Sequence, residues 1–206
     1  MFALVQDGSI TKYISGNKGI TIEDVQYPKS IFTLWSEAER NAIGIYVITV
    51  DTTNKKDEAW YINTNQSFAF ANDKVTGSYG SATAKAHADT TWTQEDSDDG
   101  LMPSDQSIGD IKTRGLKYNL IQTIKKQAAG ELQNTDWYIV RKADAGTAVP
   151  SAITTHRVAV RTKADEMETA ITNASNTPAL ETLYTFTKQE DGSVTRPLGE
   201  LPTLES

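Results

Sequence analysis

The sequence predicts an α+β protein. Small antiparallel β units with a short helix come first, then an antiparallel helical hairpin, then a short β-hairpin and an extended tail. Three observations predict it. Apolar residues between positions 116 and 174 recur at three- and four-residue spacing, the period of a helix face. Ahead of position 80, short runs rich in β-branched and aromatic residues alternate with Asp-Gly and Asn-Asp turn pairs. Near the end, a Pro-started apolar segment precedes another Asp-Gly pair. Composition divides the chain into a β-rich domain (1–93), an acidic linker (94–107), the helical hairpin (108–175) and a closing region (176–206).

Phe2-Ala3-Leu4-Val5 and Ile10 to Ile14 flank Asp7-Gly8, a hairpin-turn dipeptide. Ile20-Thr21-Ile22 reads as a further strand, ended by Tyr27-Pro28 because the residue before Pro avoids helix. Ser36 and Glu39 have capping-box spacing. They predict a short helix ending at Gly44, with Phe32, Leu34 or Trp35 packed at its start. The same role accounts for Glu39 without catalysis. Ile45 to Val50 is a β-branched strand. Trp60-Tyr61-Ile62 is expected to return as its partner, with Trp60 and Ile62 on one face and Tyr61 on the other. Phe68-Ala69-Phe70 and Val75 to Tyr79 flank Asn72-Asp73, so residues 45–79 read as an antiparallel meander. The alanine content of 81–89 favours a short helix there over an edge strand.

The helical pair is the clearest stretch. Ile153, Arg157, Val160, Ala164, Met167, Ile171 and Ala174 share one face of a helix started by Pro150, with Thr147 or Ser151 as candidate caps. Leu116, Leu120, Ile124, Ala128 and Leu132, widened by Ile121, form the facing stripe. Gly115 and Gly130 weaken that helix by roughly 1 kcal/mol each relative to Ala. Between the helices, Trp137-Tyr138-Ile139-Val140 is too apolar for a solvated loop. It is expected to dock the turn against the pair, with Trp137 as anchor. Two readings of Arg157 stand. Its stem packs while its head reaches a carboxylate or the surface, which the rarity of fully buried Arg favours. Or it pairs with Asp136 and locks the turn.

Leu132-x-x-Thr135-Asp136-Trp137, followed by a Pro-started helix carrying Arg157-x-x-Val160-Arg161, resembles the C-terminal region of bacteriophage tail-fibre-associated and tail-assembly-type proteins. There the pattern is a leucine, a Thr-Asp-Trp, a short polar turn, and a helix with Tyr-Arg-x-x-Leu-Arg. The run from Asp136 to Lys142, with Gly146 and Pro150, is similar to the version in tail and virion proteins of marine phages. His156 stands where that family often has an aromatic. The resemblance covers the helical region well and the N-terminal hairpin loosely.

The resemblance implies a structural motif of Asp136, Trp137, Arg157 and Arg161 in a virion, and no reaction. A tail-associated fibre, baseplate or adaptor component would be made in the host cytoplasm. It would join other phage virion or tail proteins and copies of itself, as a trimer where fibre-type proteins are trimeric. The alternatives are a tail-fibre assembly chaperone absent from the finished particle, or a glycan-binding receptor-recognition module.

Composition bounds the chemistry. The 206 residues include no cysteine, so disulfides, thiolate catalysis and cysteine metal sites are excluded. A net charge of −7 argues against sequence-independent nucleic-acid binding and a polybasic membrane anchor. No apolar run approaches the ~20 residues of a spanning helix. Gln6-Asp7-Gly8 interrupts the apolar start, so no signal peptide is expected. His87 and His156 lie in separate segments, and neither has a metal-ligand neighbour set in the sequence. Glu95 to Gly100 begins like a calcium loop, yet position twelve would be Gln106 where a bidentate Glu is required. Asp98 and Asp99 form a carboxylate pair whose separation nothing in the sequence fixes for glycosidase work. Trp35, Trp60 and Trp92 suit core packing better than sugar stacking. No cofactor is expected.

Overall fold

A computed structural model describes residues 1–64 and 66–204. The chain divides into two compact units, Met1–Thr83 and Ala84–Ser206. The division falls ahead of the 93/94 boundary expected from composition, because residues 85–89 are tied to helices of the second unit.

In the first unit, β1 (Phe2–Gln6) and β2 (Ser9–Ile14) form the expected hairpin. Asp7 and Gly8 both have positive φ, the backbone that a tight two-residue turn demands. β3 (Ile20–Ile22) pairs with β4 (Val25–Tyr27). One helical turn, α1 (Ile31–Leu34), buries Ile31 and Phe32 and leaves Leu34 exposed. α2 (Glu37–Ala42) starts at the predicted capping box: the Glu39 amide donates to Ser36 Oγ (3.3 Å) and the Ser36 amide to Glu39 Oε2 (2.7 Å). β5 (Ile45–Asp51) follows Gly44, and β6 (Tyr61–Ile62) is short. β7 (Ser67–Ala71) and β8 (Lys74–Ser78) form the hairpin predicted at Asn72-Asp73. β9 (Thr83–Ala84) marks the boundary.

The main sheet has the order β2-β1-β5-β8-β7. This corrects the meander. β5 lies between β1, antiparallel, and β8, parallel, and β6 belongs to a different sheet. β6 offers only two residues, too few to cover the seven of β5, whereas β1 and β8 bring Ala3, Leu4, Val5 and Val75 to it. The expected alternation at 60–62 also fails. Trp60 and Tyr61 are both buried because the Trp60 and Tyr61 amides turn back onto the Asp57 carbonyl. β1 is buried on both faces. Leu4 packs with Ile14, Ile20, Ile31, Phe32 and Ile45, while Ala3 and Val5 pack with Ile48 and Val75. The edge strands curl toward each other, with the Tyr13 and Phe68 rings 5.0 Å apart.

In the second unit, β10 (Thr90–Thr91) pairs with β11 (Ile111–Thr113). Between them α3 (Gln94–Asp98) replaces the start of the expected linker, because Thr93 and Asp96 form a second capping box. α4 (Leu116–Gln133), α5 (Asp136–Ala145), α6 (Ser151–Asn173) and α7 (Thr177–Tyr184) follow. β12 (Thr187–Lys188) and β13 (Val194–Thr195) close the Asp191-Gly192 hairpin. The tail then runs without regular structure to Leu204, and its last two residues lie outside the described ones.

α4 and α6 make the antiparallel hairpin. Lys117 Nζ, near the start of α4, donates to the Thr172 carbonyl near the end of α6 (2.8 Å). All seven stripe residues of 153–174 are buried, as are Ile124 and Ala128 opposite them. Neither Ser151 nor Thr147 caps α6; Pro150 occupies the cap position.

Residues 81–89 are not the expected short helix: the carbonyls of 85–87 are used by α4 and α7. The Leu116 and Lys117 amides donate to the Ala86 and His87 carbonyls (both 3.0 Å), and Thr177 Oγ1 donates to the Lys85 carbonyl (2.6 Å). Asp89 accepts from the Gly115 amide (2.8 Å) and from Arg114 (2.6 Å). The free N–H groups of a helix start are thus satisfied by a distant segment. Gly115 is the cap rather than an interior residue, and a Cβ there would lie 2.3 Å from the Ala88 backbone.

These contacts generate two predictions. Gly130→Ala places its Cβ in open space within α4 and should stabilise the protein by about 1 kcal/mol, whereas Gly115→Ala should destabilise it, both read by urea unfolding. The Gly115 amide, then Arg114, holds the Asp89 carboxyl below its ordinary value of 3.8. A carboxyl depressed on folding contributes stability that is complete above its unfolded value and drains as pH falls through the folded one. Tm should therefore decline in acid, and Asp89→Asn, which keeps an acceptor for Gly115, should flatten that decline.

Candidate assembly site

The elbow between α4 and α6 is where the singled-out residues meet. α4 ends at Gln133, and α5 starts three residues later. The ends of two helices therefore converge: the carbonyl end of one, partly negative, and the amide end of the other, partly positive. α6 sends Arg157 into this junction. Its Nη1 donates to the Leu132 carbonyl (2.9 Å) and to Thr135 Oγ1 (2.7 Å) and forms an ion pair with Asp136 Oδ1 (2.8 Å). Thr135 Oγ1 in turn donates to the Leu132 carbonyl (2.8 Å). Thr135 and Arg157 are buried, while the Asp136 side chain is 56% exposed.

The two readings of Arg157 meet here: its head reaches a carboxylate, and that carboxylate is Asp136, the partner expected to lock the turn. Arg157 is buried because its charge meets a carboxylate and a helix-end carbonyl together, which offsets desolvation. The signal in the sequence was Thr135, whose hydroxyl is the second acceptor; its short polar side chain reads as an ordinary turn residue.

The connection itself is also different from the expected docked turn. Residues 136–145 form α5, closed by Gly146 at φ 67°, the left-handed cap that glycine adopts readily. None of its residues is buried. Trp137 is not an anchor but 55% exposed, with Ile139 at 42% and Val140 at 66%. Tyr138 and Arg141, three residues apart on one face of α5, are its half-buried residues; Trp137 flanks that face, and Ile139 and Val140 lie opposite it. The Arg141 guanidinium lies 4.5 Å from the Trp137 ring centre and 5.5 Å from that of Tyr138, and its buried Nε has no hydrogen-bond partner. Cation and rings form one stacked cluster, the two rings tilted 47° to each other.

Arg161, four residues beyond Arg157, is exposed on α6 and is not brought into the elbow contacts. His156 is buried, with its Nε2 unpartnered, in the stretch where the resemblance places an aromatic. It belongs to the inner face of α6, three residues from Ile153 and four from Val160, a position that the heptad stripe skipped. His87 is half-buried and remote in sequence from any ligand set; among the described residues no three His, Asp or Glu side chains are grouped to hold a metal ion. Trp35, Trp60 and Trp92 are inward or half-buried, leaving Trp137 as the tryptophan most open to solvent among the described residues. No helix in the described residues is long and apolar enough to cross a membrane.

No family model, curated protein or solved structure matches the chain.

Removing the elbow cation should cost more than removing its carboxylate. Arg157→Met removes the charged donor to the Leu132 carbonyl and the Thr135 hydroxyl and the cation beside Asp136, and should lower stability by about 2–3 kcal/mol. Asp136→Ala leaves Arg157 two neutral acceptors and should cost about 1 kcal/mol. Urea unfolding of both variants checks the order.

Proposed function

We propose that this protein is a non-enzymatic structural component of a bacteriophage tail, acting by protein–protein assembly. It would be made in the host cytoplasm and reach the virion as a fibre, baseplate or adaptor part, joined to other tail proteins and to copies of itself. The observation that carries this reading is α5. A helix with no buried residue turns a tryptophan, an isoleucine and a valine to solvent, and it is held rigidly at a buried arginine. An exposed apolar patch on an ordered element is the physical mark of a surface awaiting a partner. The likeness of the Thr135-Asp136-Trp137 and Arg157 pattern to tail-associated proteins supplies the virion context.

The elbow has the features of a presenter and not of a catalyst. Arg157 is consumed by three acceptors and has no path to a substrate. The rival reading, a chaperone that leaves the particle, would use the same patch transiently. Mass spectrometry of purified virions separates the two. Many copies per particle are expected; absence from particles, with the protein bound to fibre subunits in the lysate, would sink the structural reading and favour the chaperone. Trp137→Ala with Val140→Asp should lower incorporation into particles while leaving far-UV circular dichroism unchanged.

A further inference from the structure

We infer that α5 of one copy docks on the acidic, apolar segment 98–111 of a second copy, head to tail. The inference rests on the reading that the protein acts by assembly, and it names the partner and the chemistry of the contact.

Two patches within the second unit are complementary. The first is the outer side of α5. Around it stand exposed Trp137, Ile139, Val140 and Lys142 with half-buried Arg141, and neither cation makes an ion pair among the described residues. Arg141 is fixed over its rings, so its guanidinium edge is presented with little rotamer freedom left to lose. The second patch surrounds the end of α3 and the loop after it. Between 95 and 111 there are six carboxylates and no Lys or Arg. Asp96 is taken by Lys112, while Asp98, Asp99, Asp105 and Asp110 make no ion pair among the described residues. Beside them Leu101 is 60% exposed, Ile108 53% and Ile111 38%.

The two patches differ in charge. The α5 surface has apolar area and two cations, Arg141 and Lys142, beside one exposed carboxylate, Asp144. Segment 98–111 has apolar area and anions without cations. Bringing them together buries leucine and isoleucine against tryptophan and valine, and places the carboxylates at the rim where Arg141 and Lys142 lie. The two patches are different surfaces, so the contact is heterologous. Every copy carries one of each, and such contacts either close into a ring or run on as a filament.

The test is the oligomeric state of the full chain by sedimentation equilibrium, at about 0.1 M and about 1 M salt. Self-association is expected, weakened by salt. Arg141→Glu with Lys142→Glu should abolish it, and so should Asp98→Lys with Asp99→Lys, each weakening association about tenfold or more because like charges then face one another. Lys142, Asp98 and Asp99 are exposed and Arg141 is half-buried on a helix with no buried residue, and lysine at the end of α3 suits the helix dipole, so circular dichroism should show both variants folded. Mixing the two charge-reversed chains should restore association, because each then supplies the sign the other lacks. A chain that stays single at every concentration in low salt overturns the inference. So does association untouched by either reversal, lost with only one of them, or not restored by mixing. The structural reading is decided separately, by the presence of the protein in particles.

Discussion

The second unit depends on one guanidinium. Arg157 is drawn into a nearly dry junction by three acceptors that come from two other helices. A charge in such a place is unfavourable until its bonds are made, and the full set exists only once α4, α5 and α6 are all in place. The junction is therefore cooperative by construction. The apolar stripe from Ile153 to Ala174 makes α4 and α6 adhere. Arg157 sets where along the stripe they stop and in what direction the chain leaves.

The opposite end of the hairpin is fixed by different means. There the backbone of 85–89 takes the place of a capping side chain, and Gly115 is the residue whose lack of Cβ admits it. Thr177 of α7 holds the same segment from the other side. Both ends of α4 are thus satisfied from outside the helix, one by a strand-like segment and one by a side chain of its partner. Packing in the middle is nonspecific in register; polar contacts at the ends are specific, and together they define one arrangement.

Local patterns were the legible part of the chain. The Asp7-Gly8 and Asn72-Asp73 turns, the Ser36–Glu39 box and both helix stripes could be read because each depends on residues a few positions apart. Pairings between distant segments could not. The partner of β5 was misread, since β8 lies parallel to it across a long connection and no local spacing encodes that choice. Residues 81–89 have helix-favouring alanines, yet their carbonyls are claimed by α4, so tertiary bonding overrode propensity. At the elbow, the apolar content of Trp137 to Val140 suggested burial. The half-buried face of α5 is that of Tyr138 and Arg141, and Trp137, Ile139 and Val140 lie off it. Hydrophobicity alone did not distinguish an anchor from a displayed surface.

α5 has an uncommon freedom. Its fold is enforced by Asp136 at its start and Gly146 at its end, and its outward side chains contribute nothing to the interior. Substitutions at 137, 139 and 140 are therefore decoupled from the integrity of the scaffold. A lineage could exchange one set of neighbours for another by altering these few letters, leaving the clasped helices beneath them as they were.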